Sequence, residues 1–171
     1  MGSGKTVTGR ILASLLNITF IDLDSEIEKK SGKSIRFIFE KQGETVFREL
    51  EQEALHATLP MTELVVSCGG GTACFYDNLE WMKSHGTVFY LMIDAVELTR
   101  RLETQLSERP LLTGIKSAGL GNFIHEKLAE REKFYRQAHH TIQSPESAEL
   151  AAREIMRLID SVKKNKQRSG S

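Results

Sequence analysis

The sequence predicts an α/β fold, a mostly parallel sheet with helices on both faces. Apolar runs of strand length alternate along the chain with stretches of helical periodicity, the pattern of parallel strands joined by crossover helices. A Gly-Ser-Gly-Lys-Thr string at residues 2–6 runs straight into a helical pattern. Two later strand-like runs end in Asp22-Leu23-Asp24 and in Gly69-Gly70-Gly71. In open parallel sheets ligands bind at the carboxyl ends of the strands, so these ends are expected to converge on one crevice.

The elements follow in order. Residues 5–16 place Ile11, Leu12, Leu15 and Leu16 at helical spacing, and Asn17 can end that helix. Residues 18–23 read as a short strand whose period of two puts Asp22 and Asp24 on one side. From 25 to about 59 the pattern is helical, broken at Ser31-Gly32 and at Gly43. Within it, Val46, Leu50 and Ala54 form a stripe that Phe47 widens, and Arg48 and Glu51 share a face three residues apart. Residues 64–68 are a short buried-type strand ending at the three glycines. A helix near 76–84 leads to 87–93, the best strand in the sequence, closed by Asp94. Residues 95–106 are helical. Residues 107–121 are polar, glycine-bearing and without period, and read as a mobile loop. Helix returns over 122–138, strand over 139–143 and an amphipathic helix over 147–162. The tail 163–171 reads as disordered.

The 171 residues suit one domain, here 1–162. Lysine plus arginine number 23 and aspartate plus glutamate 23, a formal net charge of zero that argues against a general nucleic-acid binder. Cys68 and Cys74 are too far apart for a Cys-x-x-Cys motif, which favours a reduced protein. No apolar run reaches membrane-span length and no signal peptide pattern precedes the loop, so the expectation is a soluble, cytoplasmic protein without membrane partners.

The chemistry starts at the loop. Glycines let backbone N–H groups curl toward phosphate oxygens, Lys5 reaches the outer phosphates, and the Thr6 hydroxyl suits Mg²⁺. A bare Gly-x-Gly-Lys-Thr recurs by chance, so an ordinary loop is its plain alternative. Asp22 and Asp24 suit a metal and a hydroxyl, or else cap the following helix, with Asp24 able to do both. Arg48 and Glu51 taken alone are a surface ion pair. Three consecutive glycines exceed what a turn needs and favour close ligand approach. The five histidines show no ligand spacing.

Taken together, GSGKT, FIDLD, GETVFRELE, VVSCGGG, RPLL and REKFYRQA, in that order, resemble the shikimate kinase family over nearly the whole chain. The resemblance implies a P-loop kinase that moves the ATP γ-phosphoryl group to the 3-hydroxyl of shikimate, with Mg²⁺, in aromatic amino acid biosynthesis. It implies Gly2, Ser3, Gly4, Lys5 and Thr6 on the nucleotide phosphates, and Thr6 and Asp22 on the metal. Asp24 orients the acceptor hydroxyl and takes its proton. Arg48 and Arg131 hold the acceptor carboxylate, Glu51 steadies Arg48, and Gly70 and Gly71 approach the substrate. Arg109, in a lid near 105–120, closes over ATP and supports the transferring charge with Lys5. Adenine contacts are expected near 143–146 by position alone. The family often has threonine where Cys68 stands, and no nucleophilic role follows for that thiol. A monomer is expected. The alternatives are another small P-loop kinase, such as a gluconate kinase, and a poorly active or non-catalytic relative.

The full loop pattern is Gly-x-x-x-x-Gly-Lys-Thr after a buried strand, and its first glycine and strand fall ahead of Met1. A sheet lacking its first, central strand is therefore expected. Five or six buried apolar residues at about 1.5–3 kcal/mol each are worth roughly 10 kcal/mol, comparable to a whole domain's stability of about 5–15 kcal/mol. The chain as written is expected to be unstable and poorly active.

Overall fold

The computed structural model describes residues 2–103 and 117–169, with side chains placed over 2–103 and 119–162. Helix α1 (Lys5–Leu16) stops where expected, at Asn17, whose left-handed φ of 55° lets its N–H close on Ala13 and Ser14. Strand β1 (Thr19–Asp22) leads into α2 (Leu23–Ser31), then α3 (Ile35–Lys41) and α4 (Gly43–His56). The breaks fall at Gly32 and Gln42-Gly43, as the sequence indicates. Strand β2 (Leu64–Ser67) follows, then a short 3₁₀ turn (Thr72–Cys74), α5 (Asn78–His85), β3 (Phe89–Met92) and α6 (Ala95–Glu103). Helix α7 (Ser117–Tyr135), β4 (His140–Gln143) and α8 (Ala148–Ser169) close the chain.

Several expected boundaries move. The strand of 18–23 ends at Asp22, because the Asp22 carboxylate accepts from the Ser25 N–H at 3.3 Å and starts α2 there. Asp24 thus sits in the first turn of a helix. The cap falls to Asp22, and the period-two argument for the pair does not apply. Residues 117–121, expected in a loop, open α7, and Leu120 is fully buried. Burial overrides their weak periodicity. The closing helix continues past Val162 to Ser169, through residues expected to be disordered. Lysine, glutamine and arginine dominate there and are good helix formers. Arg109 and the rest of the expected lid over 104–116 lie outside the described residues.

Both strand pairings are parallel. β1 pairs with β2 in the register Asp22↔Ser67, and β3 pairs with β4 in the register Phe89↔His140. Among the described residues the two pairs are separate sheets, so β2 and β3 are not hydrogen-bonded to each other. Side chains alternate across them as period two requires. Val65 and Leu91 pack with Leu12, Ile142 and Ile155 under α1 and α8. Val66 and Ile21 face the other way, into Leu23, Ile27, Ile38 and Phe47 of α2–α4. A third cluster, Ile93, Leu98, Leu102, Leu120 and Ile124, joins α6 to α7. Helices therefore cover both faces. Among the described residues no helix is long and apolar enough to cross a membrane.

Leu23 is wholly buried at the point where β1 turns into α2, directly between Asp22 and Asp24. Leu23→Ala should cost about 2–5 kcal/mol. Thermal unfolding should then fall by roughly 2–4 °C for each kcal/mol lost.

Candidate active site

The carboxyl ends of β1 and β2 and the amino end of α1 meet in one cleft of about 590 Å³. Gly4, at φ 83°, is the N-cap of α1, a left-handed conformation that a side chain would strain. No side chain caps this helix and its first turn carries no acid, so its leading N–H groups and dipole are left to an anion. Lys5 donates to the Ser3 hydroxyl at 3.2 Å, which holds its ammonium over the loop. The β1–β2 register brings Asp22 beside Ser67. The Thr6 hydroxyl donates to Asp22 Oδ2 at 2.8 Å and lies 3.4 Å from the Ser67 hydroxyl. Three hard oxygen donors are thus clustered beside the phosphate loop, a set that suits Mg²⁺ shared with phosphate oxygens.

Asp24 lines the same cleft one turn into α2. Burial, and after it the negative charges of Asp22 and Glu51, push its carboxyl up from 3.8 to about 6, while Lys5 pulls the other way. A carboxyl poised there is a better proton acceptor than one at the ordinary carboxylate value.

Across the cleft, α4 turns Phe47, Arg48, Glu51, Ala54 and Leu55 inward, while Val46 and Leu50 are only half-buried. The face that taken alone would be a surface ion pair is therefore a buried one. Arg48 is 3 % exposed and donates to Glu51 at 2.6 Å; Glu51 is 0 % exposed and also accepts the Thr72 hydroxyl at 2.5 Å. Thr72 in turn is tied to the carbonyl of Gly69, and Asn78 donates to the Thr72 carbonyl at 3.0 Å. The Phe75 ring centre lies 4.2 Å from the guanidinium carbon. Gly71 backs onto the same group so closely that a Cβ there would stand 2.5 Å from both terminal nitrogens. Gly71 is needed by this arginine, and Gly69 by Glu51, whose Oε1 would stand 2.6 Å from a Cβ there.

Arg131, on α7, reaches the cleft and bonds to Tyr135 one turn on, and the Tyr135 hydroxyl donates to the Gly70 carbonyl. Tyr135, Thr72 and Asn78 were not singled out in the sequence. Only the Arg-x-x-x-Tyr spacing could have indicated Tyr135; Thr72 and Asn78 carry no local signal. Arg100 and Arg101 also line the cleft, each paired with Glu97 at 2.6–2.9 Å, and the sequence reading passed over them. Residues 143–146 do not line it. Burial pushes the Cys68 thiol up to about 12, so it is unreactive at neutral pH.

All the expected site residues that are described (Gly2, Ser3, Gly4, Lys5, Thr6, Asp22, Asp24, Arg48, Gly70, Gly71 and Arg131) line this one cleft. Arg109 lies outside the described residues.

The unfolded chain releases the Asp24 proton near pH 4 and the fold only near 6. This group's contribution to stability is therefore full below about pH 4 and is lost as pH rises through about 6. With EDTA present to exclude metal binding, the stability of wild type relative to Asp24→Asn should fall between pH 4 and 7.5, by clearly less than the ~3 kcal/mol that a two-unit shift gives an enclosed group, because solvent reaches and screens this carboxyl. At pH 7.5 the variant should be the more stable protein and the inactive one; urea titrations across pH check this.

The sequence model described as shikimate kinase matches residues 1–160. A shikimate kinase of Phocaeicola vulgatus is 39% identical over 164 residues, covering 96% of this chain and 93% of that protein. One from Bacteroides fragilis is 44% identical over 140 residues, covering 82% and 78%. Among solved structures, shikimate kinase from Acinetobacter baumannii in complex with shikimate superposes with a TM-score of 0.88 at 38% identity, covering 95% of this chain and 90% of that one. The crystal structure of shikimate kinase from Bacteroides thetaiotaomicron gives 0.87 at 37%, covering 94% of each.

Proposed function

The chain belongs to the shikimate kinase family, and from that premise we propose how its cleft divides the work. The reaction is transfer of the γ-phosphoryl group of ATP to the 3-hydroxyl of shikimate, with ATP as co-substrate and Mg²⁺ required. The single observation that carries the assignment of roles is the convergence of a phosphate loop, Asp24 and two arginines suited to a carboxylate in one cleft.

The loop N–H groups of Gly2 to Lys5 and the Lys5 ammonium hold the nucleotide phosphates. Thr6 and Asp22 hold Mg²⁺, which supplies charge neutralisation on those phosphates. Arg48 and Arg131 bind the acceptor carboxylate and so fix the position of its ring. Asp24 accepts a hydrogen bond from the 3-hydroxyl. As that oxygen bonds to the γ-phosphorus and the bond to the bridging oxygen of ADP breaks, the hydroxyl proton passes to Asp24. Glu51 acts through Arg48, and Tyr135 through Arg131 and Gly70. Arg109 is assigned to the closing lid and the transferring charge on the family resemblance. Residues 1–162 act as one domain, a cytoplasmic monomer.

We further propose that the space between β2 and β3 is the place of another parallel strand leading into the phosphate loop. Two findings support it. Among the described residues β2 and β3 are not hydrogen-bonded to each other, and Val65, Val66, Phe89 and Tyr90 on them are only half-buried, where the inner strands of a parallel sheet are normally covered.

ADP release should depend on shikimate, and neither gluconate nor nucleoside monophosphates should replace it; activity confined to a nucleotide acceptor would overturn the assignment. Arg48→Lys keeps the charge but loses the planar fork, and should raise the KM for shikimate about 10–100-fold. Gly71→Ala should raise it as well, by displacing the guanidinium, and should leave the KM for ATP nearly unchanged.

A further inference from the structure

Arg48 holds two carboxylates, and they are held differently. Glu51 is fully enclosed and fixed by Arg48 and Thr72 together. Glu44, one turn earlier on α4, is 49 % exposed. Its Oε1 accepts from Arg48 Nε at 3.2 Å and from Nη2 at 2.9 Å. Among the described residues its carboxylate pairs with Arg48 alone. Those two nitrogens form one edge of the fork by which a guanidinium grips a carboxylate side-on. A chain-borne carboxylate therefore sits on the group assigned to the acceptor's carboxylate.

We propose that Glu44 is an internal competitor for Arg48 that the acceptor's carboxylate must displace, and that it thereby sets how tightly this chain holds its acceptor. The inference rests on the assignment of Arg48 to the acceptor. Charge requires the displacement. With the acceptor bound, Arg48 and Arg131 would face three carboxylates, those of Glu44, Glu51 and the ligand, and like charges around one guanidinium repel. Glu51 has no exposure and no room to yield. Glu44 has both. It lines a second cavity of about 240 Å³ that shares Arg131 with the main cleft and also holds Lys127, which pairs with Glu130 of the same lining at 2.7 Å. Turned into that cavity, Glu44 meets two cations, Arg131 and the Glu130-paired Lys127, against one carboxylate, while the edge of Arg48 opens. A competitor that occupies the binding group most of the time lowers the apparent affinity by the fraction of time the group is open.

The test compares wild type, Glu44→Gln and Glu44→Ala by steady-state kinetics, with shikimate and with its carboxamide analogue as acceptors. Removing the competing charge should lower the KM for shikimate about 3–10-fold, with kcat and the KM for ATP within about twofold. With the uncharged carboxamide, the same substitutions should leave KM unchanged. An unchanged or raised KM for shikimate, or an equal gain with the carboxamide, would overturn the proposal. Glu44→Gln keeps the size and an acceptor oxygen, so it carries the test alone should Glu44→Ala melt early. If Arg48→Lys leaves the KM for shikimate unaltered, the assignment of Arg48 itself has failed. That result is separate from any Glu44 outcome.

Discussion

The cleft depends on one buried ion pair. Arg48 and Glu51 meet at 2.6 Å with almost no exposure between them. Taking two charges out of water costs several kcal/mol per ion, and their attraction offsets this only with good geometry and further hydrogen bonds. The surrounding structure supplies both. Thr72 satisfies Glu51, Asn78 holds Thr72, Phe75 lies against the guanidinium, and the backbone at Gly71 comes within a distance that no Cβ would permit. The turn after β2 is thus shaped by what it must accommodate. Glu51 also helps raise Asp24, so the same pair is felt at the group that handles the proton.

The site is costly to maintain. Asp22, Asp24 and Glu51 crowd three carboxylates near one another, with Lys5 as a cation felt by Asp24. Desolvating Asp24 destabilises the fold at neutral pH and makes the residue a better base, the common exchange of stability for activity. The cationic loop and a bound metal would relieve part of that repulsion, so the folded cleft is built to be more comfortable when loaded. The separation of β1–β2 from β3–β4 adds to the burden. Val65, Val66, Phe89 and Tyr90 on those strands are only half-buried.

Much of this was legible beforehand, and for local reasons. Helix α1 is bounded by a glycine loop and by Asn17, and the gaps between α2, α3 and α4 fall at glycines, because a left-handed backbone position is a property of one residue. The strand ends at Asp22 and Ser67 were found to within a residue. Other assignments failed where burial decides. Residues 117–121 read as loop, yet Leu120 is locked against Leu98, Leu102 and Ile124, contacts made with an element distant in sequence. Which of Asp22 and Asp24 caps α2 turned on where the strand stops, a boundary that propensity does not settle to one residue.

The sequence by itself determined the chemistry: a phosphate loop, a pair of aspartates, the arginine–glutamate pair, the glycines, and their order along the chain. These are covalent facts, and spacing alone makes them recognisable. Only the tertiary structure decided their electrostatics. Whether Arg48–Glu51 is a solvated surface pair or a buried strut, whether Asp24 titrates near 4 or near 6, and whether Glu44 points to water or onto Arg48 depend on which neighbours exclude solvent. Exclusion of solvent is a property of packed elements far apart in sequence. It sets the effective dielectric, and the dielectric sets the strength of every charge in the cleft.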